Sequence, residues 1–189
     1  MNPVPLFLII VTLPLLLGGC GEKATVNEED VEEREGIIYL KGSNTTYTGE
    51  QFLFYENGQK KAEINFKNGK PDGLFVGWYE NGQKMAETNF KDGKPDGLAV
   101  GWHENGKKKM EGSWKNDKED GLHTQWHENG QKNEENNWKD GKQEGLAVGW
   151  HENGQKRGEV NFKNGEAVSR KLWNRKGEPV DTIEEALEE

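Results

Sequence analysis

The chain has 189 residues, one cysteine, only 31% hydrophobic residues and a formal net charge of −9. One cysteine excludes an internal disulfide. The negative charge lies at the two ends, because residues 21–50 hold eight acids and three bases, and residues 178–189 hold six acids and no base. Residues 51–177 hold 20 acids and 22 bases, so they lack the concentrated basic face of a nucleic-acid-binding protein, and we expect no nucleic acid partner.

The first element is an apolar run over Leu6–Leu17. Its length of about 12 residues is below the roughly 20 that span a bilayer and is typical of a secretory signal core. The following ending, Leu17-Gly18-Gly19-Cys20, resembles a bacterial lipobox. This resemblance implies that residues 1–19 are a lipoprotein signal peptide and that Cys20 carries a lipid. It also implies an exported protein anchored to the membrane, the outer membrane in a cell with two. The alternative is an ordinary signal peptide with a chance cysteine.

The segment at 20–35 is acidic and contains no aromatic side chain. Such a composition predicts a disordered tether between the lipid and the folded part. Residues 37–40, Ile-Ile-Tyr-Leu, predict a short strand at the start of a repeat domain that we place at 36–177.

A 24-residue period organises this domain. Glycine recurs at 49, 73, 97, 121 and 145, and again at 58, 82, 106, 130 and 154. Each unit has two turn signals and two runs with alternating side chains, such as Leu74, Val76 and Trp78. Alternation with period two predicts strands. The fold class is therefore all-β, an elongated single-layer meander of antiparallel β-hairpins.

The Tyr-Glu-Asn-Gly-Gln-Lys phrase at 79–84 leaves two hairpin registers open. A two-residue Asn-Gly loop pairs Val76 with Glu87. A three-residue loop over 80–82 pairs Val76 with Ala86, keeps the apolar side chains on one face, and requires a left-handed Gly82 followed by a bulge. We favour the three-residue loop.

This register predicts an aromatic face. Lys84 lies opposite Trp78, and the lysine stem can cover the indole while its ammonium stays in water. The ladder comprises Phe54, Lys60, Trp78, Lys84, Trp102, Lys108, Trp126, Lys132, Trp150 and Lys156, and the other edge of the same face carries Phe66, Phe90, Trp114, Trp138 and Phe162. The central columns between them become polar in the fourth unit, at Glu134 and Asn136. We take as the candidate binding face Trp78, Trp102, Trp126, Trp150, Lys84, Lys108, Lys132, Phe90, Trp114 and Trp138.

Histidines 103, 127 and 151 form a column beside the turns, at the place of Tyr55 and Tyr79. Equivalent positions lie about 9.5 Å apart, two strand spacings of roughly 4.8 Å. A shared zinc ion needs ligand nitrogens at about 2 Å, so we interpret this column as solvated residues beside the turns. With no nucleophile–base set or phosphate-binding loop, we expect no metal, no cofactor and no catalysis.

The last segment, 178–189, predicts an acidic tail with a short helix. Thr182 and Glu185 form a capping-box pattern. Ile183, Ala186 and Leu187 share one helix face.

The unit GLFVGWYENGQKMAETNFKDGKPDG at 73–97 resembles the MORN-repeat-variant family of bacteria, and the resemblance covers about residues 47–177. The family includes lipid-anchored proteins, and some members are labelled YwqK-like antitoxins. The resemblance implies a twisted single-layer sheet and a protein-interaction or scaffold role at the cell envelope. A protein partner or self-association would then use the aromatic face. Two alternatives stay open: a cell-wall or carbohydrate-binding module, which Gly-Trp hairpin repeats resemble, and an antitoxin-like component of a toxin–antitoxin system.

Overall fold

The computed structural model describes residues 25–187, which form 17 strands, a 3-10 helix at Glu28–Asp30 and one α-helix, α1, at Ile183–Leu187. The strands before the repeats are β1 (Thr25–Asn27), β2 (Val31–Arg34) and β3 (Ile37–Leu40). The others are β4 (Gly49–Phe54), β5 (Lys60–Lys67), β6 (Lys70–Trp78), β7 (Lys84–Lys91), β8 (Lys94–Trp102), β9 (Lys108–Lys115), β10 (Lys118–Glu119), β11 (Gly121–Trp126), β12 (Lys132–Lys139), β13 (Lys142–Gln143), β14 (Gly145–Trp150), β15 (Lys156–Lys163), β16 (Glu166–Trp173) and β17 (Pro179–Val180).

One open sheet contains 15 of these strands, and chain order is almost sheet order. From β4 to β17, successive strands pair antiparallel, with the short strands β10 and β13 pairing beside β9 and β12. Strand β1 pairs parallel with β4, and β2 pairs with β3 in a separate two-stranded sheet. With strands about 4.8 Å apart, the sheet extends for roughly 60 Å. The prediction of an all-β hairpin meander with a short C-terminal helix is confirmed.

The hairpins alternate between two kinds of turn. At 80–82 the loop has three residues, since the Tyr79 amide donates to the Gln83 carbonyl at 2.8 Å and Gly82 has φ +82°. This is the predicted loop with a left-handed glycine. At Asp92-Gly93, both residues have positive φ, +50° and +84°, as a two-residue type I′ turn requires.

The strand register beyond the three-residue loop corrects the prediction. Trp78 pairs with Lys84 as expected, but Val76 pairs with Glu87 rather than with Ala86. The ladder shifts between Gly77 and Trp78, where Met85 is the extra residue of a β-bulge. A shift of one residue moves every following side chain to the other face. The predicted single aromatic face is therefore wrong: the tryptophan–lysine ladder and the column of Phe90, Trp114 and Trp138 lie on opposite faces.

We call these two surfaces the ladder face and the helix face. The ladder face carries Trp78, Trp102, Trp126 and Trp150 with Lys84, Lys108 and Lys132. The helix face carries Phe90, Trp114 and Trp138 and is the side on which α1 packs, against β15 and β16. Ring contacts follow this division, since Phe75 lies 6.4 Å from Phe90 on the helix face.

The N-terminal segment also corrects a prediction. Residues 25–34, part of the expected disordered tether, contain β1, the 3-10 helix and β2. Strand β2 pairs with the apolar strand β3, and the Ile38 amide donates to the Gly69 carbonyl at 2.9 Å. A Cβ on Gly69 would lie 2.5 Å from Ile37 Cγ2, so this close approach requires glycine. The hairpin therefore packs on the first repeat turn. Residues 1–24, with the predicted signal peptide and Cys20, lie outside the described residues.

The C-terminal helix has the predicted capping box. The Glu185 amide donates to Thr182 Oγ1, and the Thr182 amide donates to Glu185 Oε2, both at 3.2 Å. Ala186 is buried against the sheet, whereas Ile183 and Leu187 stay exposed for about half of their surface. Among residues 25–187, no helix has the length and apolar character that crossing a membrane requires.

Candidate functional site

The ladder joins successive units through its lysines. Each lysine pairs with the aromatic residue of its own hairpin, which is Phe54 for Lys60 and a tryptophan in the other units. In the first four units, the lysine ammonium lies over the tryptophan ring of the next unit. Lys84 Nζ is 5.6 Å from the ring centroid of Trp102, within cation–π range. The other Nζ-to-centroid distances are 5.2 Å for Lys60–Trp78, 5.7 Å for Lys108–Trp126 and 5.5 Å for Lys132–Trp150.

A row of glutamates completes the ladder. Lys84 Nζ forms an ion pair with Glu87 Oε2 at 2.6 Å, because the bulge at Met85 brings residues i and i+3 of the strand to one face. The same pair recurs as Lys60–Glu63, Lys108–Glu111, Lys132–Glu135 and Lys156–Glu159. Sequence reasoning missed these glutamates. Their 24-residue spacing was visible, but the favoured register placed them on the opposite face.

An exposed leucine column lies on the same face. Leu74, Leu98, Leu122 and Leu146 are 38–50% exposed and occupy equivalent positions in four consecutive units. Their cross-strand partners are polar, as Leu98 pairs with Ser113 and Leu122 with Asn137. The ladder face thus presents an apolar stripe beside a row of paired charges.

The other predicted site residues belong to the helix face. Trp114 and Trp138 lie on either side of His123, with ring centroids 4.5 and 6.0 Å away. His123 is buried, its Nε2 donates to the Ser113 carbonyl oxygen at 2.8 Å, and its Nδ1 lies 3.4 Å from Glu119 Oε1. The aromatic side chains of this face therefore pack within the protein.

The tyrosine and histidine column connects the units, and the prediction of solvated side chains is wrong. Tyr79 donates its hydroxyl to the Trp102 carbonyl at 2.7 Å. Nε2 of His103, His127 and His151 lies 2.9–3.1 Å from the carbonyl oxygens of Trp126, Trp150 and Trp173 in the following units. A carbonyl oxygen only accepts, so each ring donates from Nε2.

The turn asparagines make a parallel set of bonds. Asn81 accepts the Gln83 amide within its own turn, and its Nδ2 donates to the Glu104 carbonyl of the next turn at 3.0 Å. At the opposite sheet edge, the amide of left-handed Asp92 donates at 3.1 Å to Oδ2 of Asp72, which lies on β6 just after the preceding turn. Both rows of turns are therefore cross-linked from one end of the repeat array to the other.

Tyr47 is a buried titratable side chain at the N-terminal end of the sheet. Burial, followed by the charges of Glu50 and Asp30, raises the pKa of Tyr47 to about 12. Its hydroxyl donates to the Glu50 carbonyl at 2.7 Å. Within residues 25–187, no three His, Cys, Asp or Glu side chains lie close enough together to hold a metal ion.

The repeats match a known family model, the MORN repeat variant, at residues 47–68, 71–92, 95–116, 119–140 and 143–164. These five matches cover more than half of the chain. The chain belongs to this family. Each matched MORN repeat has a three-residue turn near its centre and ends at the first residue of a two-residue turn. MORN repeats are commonly protein- or membrane-interaction modules. The comparison with curated proteins found no match.

Proposed function

We propose that this protein is a non-catalytic, lipid-anchored MORN repeat protein that binds a protein partner, or a second copy of itself, at the bacterial cell envelope. The ladder face is the binding surface. The supporting observation is the exposed leucine column, which recurs at the same position of four units beside the row of lysine–glutamate pairs. Apolar contacts bordered by polar and charged groups are the usual composition of a protein interface.

The leucines contribute more to this proposal than the tryptophans do. A lysine ammonium lies over each of the four ladder indoles, so one ring face is already in contact. Sugars bind to aromatic side chains mainly through open ring faces. We therefore rank a protein partner above a cell-wall carbohydrate, and no described feature favours an antitoxin role.

Site-specific photo-crosslinking in intact cells tests the surface. A photoreactive residue at Leu98 or Leu122 is expected to crosslink to one reproducible protein, or to a second copy of the chain. Val168 is the matched control, because it is 59% exposed but lies on strand β16, outside the leucine column. Crosslinking at Leu98 no stronger than at Val168, together with a monomer in solution, would refute the proposed surface.

The anchor has its own test, which is independent of the binding surface. The proposal is supported by the Leu17-Gly18-Gly19-Cys20 ending. A Cys20→Ser variant is expected to lose metabolic palmitate labelling and to leave the membrane fraction. A variant that still labels and still sediments with membranes rules out lipidation at Cys20.

A further inference from the structure

The helix face becomes polar in the fourth repeat, where the fold does not require it. One column of this face reads Ala62, Ala86 and Met110 in the first three units and then Glu134. The neighbouring column reads Ile64, Thr88 and Gly112, and then Asn136. Because the other units form the same hairpin with other side chains, hairpin formation does not require this polar pair.

Both polar residues line a cavity of about 300 Å³ between α1 and the sheet. Gly149 and Gly158 are paired across neighbouring strands and form part of its floor, and Leu172 Cδ2 lies 3.1 Å from where a Cβ at Gly158 would be. Val160, Phe162 and Leu172 provide apolar walls. Ile183 and Leu187 of the helix also line the cavity and remain half exposed, so it opens to solvent. The volume falls at the lower end of the range for small-molecule sites.

Asn136 is the observation that indicates a ligand. Its side chain is 6% exposed, and its Oδ1 atom has no hydrogen-bond partner among the described residues. A buried amide oxygen without a partner costs folding free energy, and most such atoms in proteins are paired. This oxygen only accepts, and it exposes less than 1 Å² of surface, so an N–H or O–H group from the cavity reaches it only after a neighbouring side chain moves.

Two opposite charges beside the cavity indicate which chemical groups a ligand would carry. Glu134 lies beside Gly149 on the neighbouring strand. The Arg157 guanidinium also lies over Gly149, because Nη2 would be 3.1 Å from a Cβ placed there. A carboxylate binds an ammonium group, and a guanidinium binds a carboxylate through two parallel hydrogen bonds. The cavity therefore offers one partner for each end of a zwitterion.

We propose that this cavity binds a free α-amino acid with an apolar side chain. Its ammonium binds Glu134 and, once a neighbouring side chain has moved, donates to Asn136 Oδ1. Its carboxylate binds Arg157, and its side chain packs on Val160, Phe162 and Leu172. The site lies on the opposite side of the sheet from the ladder face, so it is independent of the proposed protein-binding role.

Calorimetric titration of the full chain with L-leucine and L-phenylalanine tests the proposal. Saturable binding is expected, at least tenfold tighter than for N-acetyl-leucine, which lacks the ammonium, and for leucinamide, which lacks the carboxylate. Absence of saturable binding up to about 10 mM overturns the proposal. Equal binding of all four compounds overturns the zwitterion assignment.

Two variants and a control locate the site. Asn136→Leu removes the unpaired oxygen, so it is expected to weaken leucine binding at least tenfold while the melting temperature stays the same or rises. Gly158→Met introduces the side chain that this column already carries at Met110. Because a Cβ there would lie 3.1 Å from Leu172 Cδ2, the methionine pushes Leu172 aside and fills the cavity, and it is also expected to abolish binding. Asn161→Leu, an exposed substitution on the ladder face of the same strand, is expected to bind normally. Wild-type affinity in a folded Gly158→Met variant excludes this cavity, even if Asn136→Leu does not fold.

Discussion

The ladder face and the helix face belong to the same strands but differ in how strictly they repeat. On the ladder face, the lysine–glutamate pair recurs in all five hairpins. On the helix face, one column carries Ala62, Ala86, Met110, Glu134 and Gly158 in turn. A side chain that contacts the next unit needs the same partner each time, as Lys84 needs Trp102. Helix-face side chains pack locally, so they vary and leave room for a specific cavity.

The largest expected effect tests whether buried side chains on the helix face contribute more to the free energy of unfolding than exposed side chains on the ladder face. Phe66→Ala should destabilise the protein by about 3–5 kcal/mol, because Phe66 is 8% exposed and lies 6.0 Å from the ring of buried Tyr47. Leu98→Ala on the ladder face should cost less than about 1 kcal/mol. Chemical denaturation of both variants measures the difference, and similar losses would contradict this division between the faces.

Tyr47 gives the N-terminal end of the helix face a pH dependence. Unfolded tyrosine loses its proton near pH 10, whereas the pKa of folded Tyr47 is about 12. This pKa difference contributes about 2–3 kcal/mol to the free energy of unfolding. The contribution is therefore fully present below pH 10 and is lost as the pH rises through 12. Denaturation at several pH values compares the wild type with Tyr47→Phe, which should show a smaller loss. Parallel pH profiles would rule out this contribution.

A smaller effect tests the local packing around His123. Gly112→Ile should cost about 1–3 kcal/mol, because a Cβ at Gly112 would lie 2.7 Å from the His123 ring. Thr88→Ile is the matched control in the same column, where Ala99 takes the place of His123 on the following strand. The variants are compared by thermal unfolding. Equal melting temperatures would show that the His123 ring moves aside at no cost.

The smallest expected effect concerns the ladder pairs. A double-mutant cycle with Lys108→Gln and Glu111→Gln should give a coupling of about 0.2–1 kcal/mol, since both side chains are more than one-third exposed. Added salt should reduce the coupling. A coupling above about 2 kcal/mol would make the ladder a main source of stability rather than a presented surface.

Much of the fold could be predicted from the repeats. The recurrent glycines and alternating runs gave the hairpin meander, and Asn81-Gly82 gave the three-residue loop with its left-handed glycine. The bulge at Met85 could not be predicted in the same way. One extra residue beside a turn leaves the local alternation intact on both sides, so the pattern fits either register.

Other features depend on contacts between distant parts of the chain. The acidic residues before β3 have the composition of a disordered segment, yet Val31 gains a partner in Leu40 and β1 pairs with β4. The Tyr79 hydroxyl finds its acceptor 23 residues later, which no local pattern indicates. The polar change at Asn136 was visible in the sequence, but the cavity exists only because α1 packs beside it.

The bonds between units are equivalent along the array, so the length of this protein is set by the number of its units. From Tyr55 to His151, each side chain of that column reaches a carbonyl 22 or 23 residues ahead, and the final acceptor, Trp173, precedes a sixth turn that ends at Gly177. Removing one complete unit would return each donor to an equivalent acceptor. The hairpin at one end and the helix at the other are therefore separated by a regular array, whose length would change by about 9.5 Å for each unit added or removed.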